Sequence, residues 1–137
     1  HLAVLVLYID ITLKQRGDIM KFDTKIPIYL QIMDNIKKDI ITGRLSCGGR
    51  LSSVRSLAEK YVVNIVTMQR ACSELERQGI IYTQRGIGSF VSNDKKVIDS
   101  LKTEMSAGLI KDFLCGMESL GYDKTEILEV VRKELGI

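Results

Sequence analysis

Between positions 53 and 86 the chain places hydroxyls, guanidiniums and a carboxamide at spacings that suit holding and reading a polyanion. Ser53 and Arg55 fall at the start of an expected helix, where a hydroxyl, backbone amides and a guanidinium together hold phosphate oxygens. Ser53 would serve equally well as that helix's N-cap. Gln69 and Arg70 are long enough to reach base edges, Gln to adenine and Arg to guanine in bidentate fashion, or to lie solvated on the surface. Arg85 offers a cation that enters a minor groove or clamps a phosphate, and Gly86 beside it lets the backbone approach closely. The only His is His1, and no nucleophile, acid–base pair or metal-ligand set stands at a useful spacing. No Walker-type phosphate loop is present, so catalysis, a metal site and a bound cofactor are all unexpected.

The elements that must position these residues lie in the stretch 51–91. Val54, Leu57, Ala58 and Tyr61 recur as the buried stripe of one helix. Met68, Ala71, Cys72 and Leu75 form the inner stripe of a second, which turns Val66, Gln69, Arg70 and Ser73 the other way, and Asn64 suits its N-cap. Two short helices joined by a tight turn make the helix-turn-helix arrangement that fits the DNA major groove. Residues 81–84 and 89–91 are rich in β-branched and aromatic side chains, and the turn Arg85-Gly86-Ile87-Gly88 between them makes a hairpin, the wing. Upstream, an amphipathic helix runs from Pro27 to about Thr42 with Tyr29, Ile32, Met33, Ile36 and Ile40 inward, and residues 44–50 form a loop.

In order, the segments Leu51-Ser52-Ser53-Val54-Arg55-Ser56-Leu57-Ala58, Val63-Asn64, Thr67-Met68-Gln69-Arg70-Ala71, Leu75-Glu76, Gly79-Ile80-Ile81 and Arg85-Gly86-Ile87-Gly88-Ser89-Phe90-Val91 resemble the winged helix of GntR-family bacterial transcription regulators. With Pro27 to Gly49 added, the ordered match is far more specific than an isolated helix-turn-helix pattern. The short tail after the wing is similar to the YtrA subfamily. The resemblance implies a DNA-binding regulator and favours Asn64, Thr67 and Gln69 as the base-contact set, with Ser53, Arg55, Arg70, Arg85 and Gly86 around them. Three departures stand out. Ser52 replaces a proline that usually stiffens the loop, and Val62 stands where a glycine often closes the turn. A β-branched residue is strained at positive φ, so a slightly different turn geometry is expected there. Ile65 and Val66 replace polar residues at the start of the recognition helix, where apolar groups could pack on thymine methyls.

The 137 residues, 45% apolar, suffice for one modest core and an appendage. The net charge of +3 is unevenly spread: residues 20–92 carry 11 Lys and Arg against 6 Asp and Glu, and residues 93–137 carry 7 against 9. A basic head suits a polyanion, although ordinary surface charge gives the same counts. Cys47, Cys72 and Cys115 lack metal-ligand spacing; Cys72 reads as a small core residue, and Cys47 as the better candidate for a thiol sensor. Residues 1–19 precede the family-like start at Met20 and read as a non-native or upstream-translated leader, the rival being an added strand or membrane-associating segment. Their apolar run, residues 2–9, is too short to span a bilayer.

After a polar linker, Leu101, Met105, Leu109, Phe113 and Met117, beside Ile98, Ile110 and Leu114, stripe a helix over about 97–120. Asp123 and Glu126 then have capping-box spacing before a last helix bearing Ile127, Leu128, Val131 and Leu135. Two such helices cannot bury their stripes on each other alone, and a second copy would. The expected fold is therefore mainly α with a small β-wing: a leader at 1–19, a winged helix-turn-helix domain at 20–92 and a dimerisation tail at 93–137. The expected function is operator binding as a cytoplasmic homodimeric repressor of a palindromic double-stranded DNA site. A tail this short leaves little room for a pocket of roughly 300 Å³ in one subunit, so any small-molecule effector belongs between subunits. No membrane partner is expected. The alternative from another class is a winged-helix module whose helix face binds a protein.

Overall fold

The computed structural model describes residues 21–137, so the leader expected at 1–19 lies outside the described residues. The chain divides into two compact units, one ending at Ile98 and the other spanning Asp99–Ile137.

In the first unit, α1 (Ile28–Ile41) buries Ile32, Met33, Ile36 and Ile40, spaced as one face of a helix requires, while Tyr29 is half-buried. Pro27 takes the N-cap position just before the helix, one residue earlier than expected. Helix α2 (Val54–Tyr61) buries Leu57, Ala58 and Tyr61, and α3 (Ile65–Arg77) buries Met68, Ala71 and Leu75. These stripes meet in one core, closed by Leu51, Ile80, Ile81 and Val91. Asn35 of α1 donates a 2.7 Å hydrogen bond to the phenolic oxygen of Tyr61, so the buried tyrosine keeps a partner as α1 and α2 pack.

The turn between α2 and α3 departs from expectation. Val62 adopts φ 54° and ψ 53°, a left-handed cap on α2, in place of an altered turn that would spare a β-branched residue that conformation. Its N–H donates to the Glu59 carbonyl at 3.2 Å and that of Val63 to the Ala58 carbonyl at 3.0 Å, the paired bonds that close a helix end through one left-handed residue. Satisfying those carbonyls outweighs the crowding of one exposed valine.

Strands β1 (Ile81–Gln84) and β2 (Gly88–Val91) pair antiparallel, Ile81 opposite Val91 and Gln84 opposite Gly88. The loop is thus three residues, 85–87, and Gly88 belongs to a strand rather than to the turn. Tyr82 and Phe90, a cross-strand pair, stack with ring centroids 5.6 Å apart. Part of the expected loop 44–50 also pairs. Gly48 N–H donates to Val91 O at 3.1 Å, Val91 N–H to Gly49 O at 2.8 Å and Leu51 N–H to Ser89 O at 2.9 Å, so residues 48–51 cover the second edge of β2.

In the second unit, α4, which begins in the first, spans Lys95–Ser119, and α5 spans Lys124–Leu135 behind the capping box of Asp123 and Glu126. Only Leu101 and Ile127 of this unit are buried, with Met105, Met117, Tyr122 and Val131 half-buried. Leu109, Ile110, Phe113, Leu114 and Leu128 are exposed, so the middle of the expected stripe has no cover within the described residues. At about 1.5 Å per residue, a 12-residue helix cannot sheathe one of 25 residues. No described helix is long and apolar enough to cross a membrane.

Candidate nucleic-acid interface

Ser53 caps α2: its Oγ accepts the Ser56 N–H at 3.1 Å and lies 3.0 Å from Ser56 Oγ. The amides of Val54 and Arg55 open the helix, where intrahelical partners do not exist, and the exposed Arg55 guanidinium has no ion-pair partner among the described residues. Hydroxyl, free amides and cation are therefore gathered at one helix start, as an oxyanion requires.

Asn64 caps α3 with Oδ1 accepting the Val66 N–H at 2.7 Å, which leaves its NH₂ to donate outward. Thr67 is half-buried, while Val66, Gln69 and Ser73 are exposed opposite the buried stripe. Arg70 is exposed too, but its guanidinium lies over the Tyr29 ring at 4.0 Å, a cation–π contact that ties α3 to α1. Stacking occupies the face of the guanidinium and leaves its in-plane N–H donors unspent. Of the residues expected to read bases, Asn64 is thus engaged through its oxygen and Arg70 through the face of its guanidinium.

At the wing tip Arg85 and Gly86 are exposed, Gly86 at φ 79°, and Ile87 N–H closes the turn on Gln84 O at 2.9 Å. The tip is held from below by a residue of the expected loop 44–50. Arg50 Nη2 donates to the Ile87 carbonyl at 2.6 Å, and a Cβ added at Gly88, whose φ is 150°, would lie 3.0 Å from Arg50 Nε. A glycine inside a strand is the usual signal of such close approach, whereas a glycine expected in a turn, as Gly88 is, carries no such signal. Between the start of α2 and the wing lies a cleft of about 620 Å³ lined by Arg50, Ser53, Ser56, Cys72 and Ser89. Cys72 is thus half-buried at the cleft rather than fully in the core; burial, with Glu76 adding to it, pushes its thiol above the ordinary range. That disfavours the thiolate on which sensing depends. Cys47 is exposed and its Sγ lies 3.1 Å from the Ser92 carbonyl oxygen.

This geometry has known relatives. Residues 28–91 match the family of bacterial regulatory proteins called gntR. The HTH-type transcriptional regulator YhcF of Bacillus subtilis is 38% identical over 112 residues, covering 82% of this chain and 93% of that protein. The chain belongs to the GntR family. Another relative, the HTH-type transcriptional repressor YtrA of Bacillus subtilis, is 33% identical over 108 residues, 78% of this chain and 83% of that one. Among solved structures, a GntR family transcriptional regulator from Listeria monocytogenes superposes with a TM-score of 0.77 at 43% identity, over 82% of this chain and 98% of its own. A transcriptional regulator from Oenococcus oeni gives 0.68 at 32% identity, over 85% and 97%. As a GntR regulator the chain is a DNA-binding transcription factor of winged helix-turn-helix fold. The family's members are regulators rather than enzymes.

Proposed function

We propose that this GntR protein is a repressor that occupies a palindromic operator as a homodimer, each head laying α3 in a major groove and its wing on the flanking backbone. The observation that carries this reading is α3 itself. Met68, Ala71 and Leu75 of its apolar stripe are buried, the face presented to solvent holds Val66, Gln69, Arg70 and Ser73, and Arg55 on α2 and Arg85 on the wing are exposed cations. Arg55 and the first amides of α2 hold phosphate. The Ser53 hydroxyl hydrogen turns from Ser56 to a phosphate oxygen without disturbing the cap, which uses a lone pair. Asn64 through its NH₂, Thr67 and Gln69 contact base edges, while Arg70 reaches a phosphate with its in-plane donors. Arg85 and Gly86 bring the wing to the backbone or minor groove.

The exposed Leu109, Ile110, Phe113 and Leu114, on adjacent turns of α4, support a second copy as their cover, and two heads are what a palindrome needs. A small-molecule effector would then act between subunits by changing how the heads are held, in a protein that works in the cytoplasm. The test is selection of bound duplexes from a random pool, followed by affinity for the winner at several salt concentrations. A two-fold symmetric winner with a steep salt dependence is expected. No enrichment and salt-insensitive behaviour by a folded dimer would replace this reading with a protein-binding module.

A further inference from the structure

The start of α3 carries an unusual surface for a helix that faces DNA. Val62 and Val66 are 64% and 66% exposed, and Ile65 is 39% exposed. Ile65 and Val66 open α3, and the N-terminal turn of a recognition helix is the part that enters the groove first. Polar capacity at that end is limited: Asn64 Oδ1 is committed to the Val66 amide and Thr67 is half-buried. Val62, Ile65 and Asn64 share an open groove of about 740 Å³ with Arg55 and Glu59.

Branched aliphatic groups gain nothing from water, and among the described residues most of Val66 and over a third of Ile65 stay uncovered. In a major groove they meet a single apolar feature, the C5-methyl group of thymine, since every other atom on the base edges there is a hydrogen-bond donor or acceptor or a bare ring carbon. We propose that Ile65 and Val66 read thymine methyl groups, so that each half-site contains at least one thymine recognised by its methyl rather than by hydrogen bonds. This rests on the operator-binding reading above and adds the chemistry by which part of the sequence is chosen.

The experiment uses the duplex selected from the random pool and replaces its thymines one at a time with deoxyuridine. The change deletes the methyl and preserves the hydrogen-bonding edge. At least one position in each half-site should lose about fourfold in affinity, the worth of one buried methyl-sized group, with the salt dependence unchanged. Val66→Ala or Ile65→Ala, both at exposed positions, should then bind the thymine and deoxyuridine duplexes alike at that position, which a loss of stability would not produce. Deoxyuridine duplexes bound as tightly as the parent at every position would overturn the proposal and leave operator binding standing. So would methyl sensitivity that persists in both alanine variants. Failure to select any duplex would remove both readings together.

Discussion

Val62 holds a branched side chain on a left-handed backbone at the centre of the DNA-reading motif, and most of that side chain faces solvent. The conformation costs an L-residue roughly 1–2 kcal/mol, whereas glycine avoids it at about 0.5–1 kcal/mol of added chain entropy. Val62→Gly should therefore stabilise the fold by about 0.5–1 kcal/mol, read as a higher urea midpoint at unchanged slope. A lower midpoint would mean that the isopropyl group supports the turn in a way its exposure does not suggest. Other single-residue roles were legible beforehand when they were local. Asn64 and Asp123 bond amides two and three positions on, and such caps are written in a few consecutive letters. Arg50 was not legible, because its acceptor on Ile87 lies 37 positions away and nothing near Arg50 announces it. The stacking of Arg70 on Tyr29 was hidden for the same reason.

The helices of the head could be read from period alone, since each buries one face: Ile32, Met33, Ile36 and Ile40 on α1, then Met68, Ala71 and Leu75 on α3. Residues 48–51 could not. Two glycines, an arginine and a leucine carry no alternation, and their pairing with β2 is decided by backbone groups that every residue shares. The wing depends on this third lane as much as on its own hairpin. Gly88→Ala would place a methyl against the Arg50 guanidinium at a backbone angle that disfavours any side chain. We expect about 1–3 kcal/mol of local destabilisation, faster amide exchange at Ile87 and Ser89, and weaker binding to all DNA sequences with helix content unchanged. Ordinary wing protection together with full affinity in that variant would show that Arg50 moves aside freely.

Across the whole chain, a head bearing 11 basic against 6 acidic residues is joined to a helical unit whose apolar middle no described residue covers. If a second copy supplies the cover, a charge in that stripe should separate the subunits while leaving each head folded. Phe113→Glu is expected to sediment as a monomer and to lose most of its affinity for a two-half-site duplex, while retaining weak, salt-sensitive binding to one half-site. A variant that stays dimeric would move the interface elsewhere. The Arg50 tether on the wing tip has one more consequence, in time rather than in affinity. A tip already fastened to the body of the head has no rearrangement to complete after collision, so operator capture should run at the speed of charge-steered encounter. Cutting the tether with Arg50→Ala should make capture in stopped-flow mixing level off at high DNA concentration, where the search for a productive wing position becomes the slow step.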